Sequence, residues 1–306
     1  MMTLLLALAV DLALGDPPSR WHPVAWVGRA LDAGRRRLSG GSPGVLLVGG
    51  AALVVSLAAG AAAVVLVLER VLSPWPLAAL LLDAVLLKGA LSVRALLAAV
   101  SSVRRALEAG RLEVARAALG RDLVSRPVES LDAGHVASGA IESLAENLTD
   151  SLVAPVLFFL LGGVPAAWAY RVVNTADAML GYHEGELEHL GKAAARLDDA
   201  LNWVPARLAA AALVAGAALA GGSGSQAWRL LRRDGGNTAS PNAGRTMAAM
   251  AGGLGVRLVK PGLYTLGDGA LPDPQGIGRA LRVAAFAAAL AMATAVVALA
   301  VLEGRF

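Results

Sequence analysis

The sequence predicts an all-α, polytopic integral membrane protein with about four to six transmembrane helices, joined by broken or re-entrant segments and surface amphipathic helices. Three observations carry that prediction. Hydrophobic residues make up 57% of the chain and charged ones only 16%, far below the usual quarter in soluble domains. Long apolar runs without a charge recur along the chain. The apolar mass is Ala, Leu, Val and Gly with only 4% aromatics, as in helices that approach closely through small residues. With no cysteine, disulfides, thiolate metal sites and cysteine nucleophiles are excluded. The net charge of +4 fits juxtamembrane arginine, and no RNA- or DNA-binding module is visible, so nucleic acid is not an expected partner; the lipid bilayer is.

Residues 2–14 form a short apolar run containing Asp11, read as a short or tilted first helix because the basic region of a signal peptide is missing. In GDPPSRWHPV, Asp16 and the prolines stop that helix and Trp21 and Trp26 read as interfacial anchors. His22 before Pro23 either caps locally or touches a substrate or phosphate. A basic turn (Arg35, Arg36, Arg37) leads into residues 44–68, a spanning helix free of charge. A second span over 75–100 contains Asp83 and Lys88, five residues apart and so on different faces. Residues 101–141 read as a surface helical hairpin with Gly110 and Gly120 marking turns. The run from 152 to 170 holds Pro155, Gly162, Gly163 and Pro165 and predicts a broken or re-entrant segment. Another apolar run covers 203–220. A long basic loop over 221–282 follows, and a last span covers 283–302.

The residues with chemistry to offer concentrate between 142 and 202, within what reads as one membrane-embedded domain over 1–306. On a helix Glu142, Glu146 and Asp150 fall four apart and share a face, with Asn147 beside them. Like charges at that spacing repel and call for a cation, a basic side chain or protonation. Asn174, Asp177, Asp198, Asp199 and Asn202 repeat the theme among apolar neighbours. Hard oxygen ligands of this kind suit magnesium, which usually takes one or two carboxylates plus substrate phosphates. In the later loop Ser240, Asn242 and Gly244, followed by a small-residue helix from about Arg245, are a weak signal for backbone N–H groups facing an anion.

If all six apolar runs cross, most of the 27 Lys and Arg residues fall in the loops 15–43, 101–151 and 221–282, which places those loops in the cytoplasm. That count, which includes Arg305, puts Asn174 to Asn202 on the other side from Glu142 to Asp150. A polar site shared by both stretches requires the broken segment to dip and return, so charge balance and a shared site pull apart.

GDPPSRWHPV, IESLAENLTDSLVAP, YRVVNTADAMLGY, AARLDDALNWVPAR and SPNAG resemble, in the same order, motifs of the CobD/CbiB family of cobalamin biosynthesis. The resemblance covers roughly residues 8–270. It implies a multi-pass protein of the cell (inner) membrane acting as adenosylcobinamide-phosphate synthase, an amine ligase. The corrinoid adenosylcobyric acid is joined through its propionate carboxyl to aminopropanol or its phosphate, with ATP as cosubstrate; other membrane enzymes of the pathway are conceivable partners. Amide formation from a carboxylate requires activation, and phosphoryl transfer is catalysed largely by positioning and by magnesium. On that basis Glu142, Glu146, Asp177 and Asp198 are the expected catalytic residues. Glu146, Asp150, Asp177, Asp198 and Asp199 are the expected metal ligands. His22, Asn147, Asn174 and Asn202, with Arg126, Arg171, Arg196, Ser240, Asn242, Gly244 and Arg245, are the expected substrate contacts. The chain departs from the family pattern at Pro127 and Val128, after LVSR, and in VKPGLYTLG, which has one tyrosine.

A transporter would explain the hydrophobicity and buried acids equally well, but it predicts inverted repeats and the two halves differ in loop length and motifs. A phospho-alcohol transferase of the clustered-aspartate kind lacks its D-G-x2-A-R pattern here. A non-catalytic scaffold for corrinoid enzymes is the remaining alternative, since no familiar ATP-binding fold is present.

Overall fold

The computed structural model describes residues 1–306 apart from Ser19, His183, Arg305 and Phe306. Ser19 of the quoted GDPPSRWHPV motif and Arg305 of the charge count thus lie outside the described residues. Helices dominate, and four helical stretches are long and apolar enough to cross a membrane: Pro43–Leu72, Pro76–Glu108, Ala133–Leu180 and Pro274–Leu302. The bent pair Lys192–Leu201 and Trp203–Leu219 makes a fifth if it counts as one span. The predicted class therefore holds. Two compact units divide the chain: Met1–Ser92, Ala154–Asn202 and Leu299–Phe306 in the first, Val93–Val153 and Trp203–Ala298 in the second.

The first unit holds helices α1 (Met2–Leu14), α2 (Pro23–Leu38), α3 (Pro43–Leu72), α4 (Pro76–Ala90), α8 (Ala154–Leu180), α9 (Leu187–Leu190) and α10 (Lys192–Leu201). Proline at the first position starts α2, α3 and α4, where its missing N–H costs nothing. Leu31, Leu46, Val54, Val173, Leu180 and Leu190 form the core where α2, α3, α8 and α9 meet. Val48, Val55, Val64 and Val67 of α3 are exposed apolar residues, as expected of a face turned to lipid hydrocarbon. The break predicted in the fourth apolar run is at Gly162 and Gly163 inside α8. Gly163 has φ 69°, a left-handed conformation that an L side chain resists, and Pro165 follows in the next turn. Lys88, only 5% exposed, does not snorkel. It pairs with Asp16 and lies 3.6 Å from Asp11 Oδ1. This network ties α1 and the loop after it to α4.

The second unit holds α5 (Val93–Glu108), α6 (Leu112–Asp122), α7 (Ala133–Leu148), α11 (Trp203–Leu219), α12 (Gly224–Asp234), α13 (Ala243–Leu254) and the body of α14 (Pro274–Leu302). The span expected over 75–100 falls within the stretch Pro76–Glu108, with a local break after Ala90, where Leu91 is extended (φ −88°, ψ 157°) and α5 starts anew at Val93. The hairpin expected over 101–141 is shorter: α5 and α6 turn at Gly110 (φ 68°), and from Ala133 the chain belongs to α7. Gly120 lies within α6 instead of at a turn; a Cβ there would stand 3.1 Å from Val128 Cγ2, so close packing accounts for the glycine. Most of the stretch read as a long basic loop is ordered as α12, α13 and an antiparallel hairpin, β1 (Leu258–Lys260) and β2 (Tyr264–Leu266). Three short residues per strand gave no detectable alternation to read. The Leu263 N–H donates to the Lys260 oxygen at 3.0 Å, closing a turn with Pro261 second and Gly262 third, where a type II turn requires the positive φ that Gly262 has (76°). Asp234 of α12 accepts from the Gly267 N–H at 2.8 Å and is held by Arg233, which also pairs with Asp268, so the end of β2 is pinned to α12.

Candidate functional site

Helix α7 begins with Asp132, whose carboxylate accepts from the His135 N–H at 2.9 Å, a side-chain cap on an orphan donor. Small residues then bury the helix almost completely, so Glu142 is 5% exposed. A buried carboxylate needs partners for both oxygens. Ser138 donates to Oε1 at 2.6 Å and Tyr264 donates to Oε2 at 2.8 Å. The Ser138 hydroxyl also accepts from the Val259 N–H at 2.7 Å, so both strands of the hairpin are tied to one carboxylate. Burial first, then the charge of Glu142 and the bond to it, then the charge of Glu146, hold the Tyr264 phenol well above its ordinary range. It stays a proton donor at any working pH.

Two cavities lie beside this frame. The smaller, about 240 Å³, is lined by Glu142, Glu146, Arg126, Lys260 and Tyr264 among others. The larger, about 520 Å³, is lined by Arg126, Ser130, Asp132, His135, Lys260 and Leu263 together with three apolar residues. Arg126 Nη2 is 3.7 Å from Glu142 Oε2. Glu146 is exposed, and the Asn147 side chain turns back on its own helix, donating to Ser143 at 3.0 Å. After Leu148 the helix widens into a π turn, Thr149–Val153, which takes Asp150 out of the regular α register shared by Glu142 and Glu146.

In the first unit the predicted amide and acid residues form a connected network. Asn174 and Asn202 donate to the two oxygens of Asp198 at 3.3 and 3.0 Å. Arg171 donates to Asn174 at 3.2 Å and to Ser92 at 3.4 Å, and Tyr170 donates to Asn202 at 3.0 Å. The spacing explains it: Asp198 and Asn202 are one turn apart at the end of α10, and Arg171 and Asn174 one turn apart on α8. Asp177 lies one turn further along α8 and Asp199 beside Asp198, both half-buried; Arg196 is exposed.

Other expected contacts sit elsewhere. His22 caps α2, its Nδ1 accepting from the Val24 N–H at 3.2 Å, with Nε2 3.4 Å from Asp16. In the SPNAG turn, Thr238 accepts from the Gly244 N–H at 3.1 Å and Ser240 from the Asn242 N–H at 3.2 Å. Those two N–H groups, expected to face an anion, thus serve the turn itself, because neighbouring hydroxyls reach them first. Gly244 is required there: a Cβ would come 2.6 Å from Thr238 Oγ1. Arg245 follows on α13 with its Nε buried and unpartnered.

Sequence reasoning missed Ser138, Lys260 and Tyr264. Tyr264 was visible only as the single tyrosine of a divergent stretch, and its partner lies 122 residues away. Among the described residues no three Asp, Glu or His side chains gather as a closed metal cage. The carboxylates present fit instead a magnesium ion held by one or two of them and completed by phosphate oxygens.

The family model described as CobD/Cbib protein matches residues 4–299. The chain is 42% identical over 265 residues to a protein of Methanothermobacter thermautotrophicus named probable cobalamin biosynthesis protein CobD, covering 87% of this chain and 86% of that one. It is 40% identical over 273 residues to the cobalamin biosynthesis protein CobD of Dehalococcoides mccartyi, covering 89% and 88%. A third relative, from Thermococcus kodakarensis and named probable cobalamin biosynthesis protein CobD, is 41% identical over 280 residues, covering 91% and 89%. No solved structure matches the chain. Ordered motifs, helical architecture and a match over nearly the whole length agree: the chain belongs to the CobD/CbiB family.

Proposed function

We propose that this protein acts in cobalamin biosynthesis, in the cell (inner) membrane, as an ATP-dependent amine ligase. It would join aminopropanol or its phosphate to the propionate carboxyl of adenosylcobyric acid, giving adenosylcobinamide or its phosphate. The supporting observation is the cavity lined by the Glu146 carboxylate and by two cations, Arg126 and Lys260, beside the hydrogen-bonded Glu142–Tyr264 pair.

The chemistry requires activation of a carboxylate. In the simplest route a propionate oxygen attacks the terminal phosphorus of ATP, the bond to ADP breaks, and an acyl phosphate forms. The amine nitrogen then attacks the acyl carbon, a C–N bond forms, phosphate leaves, and one amine proton goes to a base. Glu146, the exposed carboxylate of the cavity wall, takes that proton. Arg126 and Lys260 hold phosphate oxygens, where charge-assisted bonds are strongest. Bound magnesium supplies neutralisation of phosphate charge. Glu142 keeps its partners and acts as a positioning residue.

Purified protein in detergent should form the amide only with Mg-ATP, as read by mass spectrometry of the corrinoid product. Glu146→Gln should lower kcat by about 10²- to 10⁴-fold, the usual contribution of a general base. Full turnover in this variant removes Glu146 from the mechanism.

A further inference from the structure

We propose that the two cavities walled by Arg126 and Lys260 form one binding site for a small phosphorylated ligand, whose phosphate lies between these two cations. The ligand's identity, a phosphorylated amino alcohol or a nucleoside triphosphate, rests on the function proposed above; the site rests on geometry alone.

Arg126 Nε and Nη1 are shut off from solvent and make no hydrogen bond. Glu142 stands 3.7 Å from Nη2 and is itself held by Ser138 and Tyr264, so the ion pair leaves Nε and Nη1 without an acceptor. Buried guanidinium donors left without acceptors are costly, and phosphate oxygens are the acceptors that match their fork. Lys260 lines the same two cavities as Arg126. Its ammonium lies 6.0 Å from the centroid of the Tyr264 ring, and among the described residues no carboxylate comes within ion-pair distance of it. A phosphate between them offers acceptors to the two unmatched Arg126 donors and a negative charge to the Lys260 ammonium.

The hairpin delivers Lys260 to this place. Lys260 is the last residue of β1 and is paired with Tyr264 across the sheet. Tyr264 and the Val259 N–H are both tied back to Glu142, the second through Ser138. The register that brings Lys260 beside Arg126 is therefore set by the buried carboxylate. Asp132 supplies a negative charge to the larger cavity, the complement of an ammonium group on a phosphorylated amine. The larger volume, about 520 Å³, is within the range of small-molecule pockets.

The sequence contains three lysines, and Lys192, exposed in the first unit, provides an internal reference for amine labelling. Full-length protein in detergent would be acetylated with a soluble ester in the presence of aminopropanol phosphate, ATP without magnesium, inorganic pyrophosphate or unphosphorylated aminopropanol, and the sites quantified by mass spectrometry. At least one phosphorylated compound should slow labelling of Lys260 several-fold relative to Lys192, and unphosphorylated aminopropanol should not. Protection by aminopropanol phosphate but not ATP assigns the site to the amino alcohol, and the reverse assigns it to the nucleotide. Lys260→Gln and Arg126→Gln should each weaken the protecting ligand at least tenfold by calorimetry while the thermal unfolding temperature of Lys260→Gln stays near wild type. Unchanged Lys260 labelling with every phosphorylated compound, or unchanged affinity in both variants, overturns the site even if amide formation is observed. Protection of Lys260 in a protein that forms no amide leaves the site standing and sinks the ligase reading.

Discussion

The hydroxyl of Tyr264 lies 2.8 Å from Glu142 Oε2, joining the tip of a two-stranded hairpin to the middle of a buried helix. Removing that donor takes a hydrogen-bond partner from the carboxylate of Glu142, a residue only 5% exposed, the situation in which a lost hydrogen bond costs most. Tyr264→Phe should destabilise the protein by about 1–3 kcal/mol and loosen the hairpin that carries Lys260. Thermal unfolding in detergent measures the first effect, and hydrogen exchange of the Val259 amide the second. An unchanged unfolding temperature with unchanged exchange would mean that the bond positions nothing.

Asp16 is the partner of the buried Lys88. Burial works against its ionisation, but hydrogen bonds from His22 and Lys88 and the charge of Lys88 outweigh it and lower the carboxyl to about 2. A carboxylate whose pKa is lowered on folding contributes its stability above its unfolded pKa, and that contribution disappears as pH falls through the folded value. Stability should therefore decline between about pH 4 and pH 2, and Asp16→Asn should flatten the decline. At pH 7 Asp16→Asn should cost about 2 kcal/mol, less than the ~3–5 kcal/mol for breaking a fully buried pair, since Asp11 remains near Lys88. Unfolding curves of both proteins across that range provide the check.

Within the second unit α11 approaches α14 through Gly216. A Cβ there would meet backbone, 2.7 Å from the Val283 oxygen and 2.9 Å from the Ala287 nitrogen, and backbone cannot step aside. Gly216→Val should destabilise by roughly 1–3 kcal/mol or more. Gly60, in α3, has nothing within 4 Å of such a Cβ, so Gly60→Ala should be neutral or stabilising by up to about 1 kcal/mol through helix propensity. Equal unfolding temperatures for the two variants would contradict the packing described.

Chelation should separate catalysis from stability. Because no closed cage of Asp, Glu or His is present among the described residues, excess EDTA should leave the unfolding temperature unchanged while abolishing amide formation, and added magnesium should restore turnover. A large loss of thermal stability on chelation would point to a structural ion instead.

Much of this was legible along the chain because it depends on local composition and spacing. Charge-free runs must seek hydrocarbon, prolines set helix starts, and Gly162–Gly163 breaks a helix wherever the chain runs. The i, i+4 relation of Asp198 and Asn202, and the i, i+3 relation of Arg171 and Asn174, follow from helix geometry and were open to prediction. The ordered motifs were enough to suggest the family. Three-dimensional packing alone decided what the acids do. Glu142 and Glu146 share a helix face and a residue type, yet burial gives the first two fixed donors and leaves the second exposed on a cavity wall. Lys260 and Tyr264 carry no local signal, since their meaning comes from contacts with a helix more than a hundred residues earlier. Charge and periodicity are properties of neighbours in sequence, whereas the pairing of a buried charge is settled by whichever distant group the fold brings within hydrogen-bond reach.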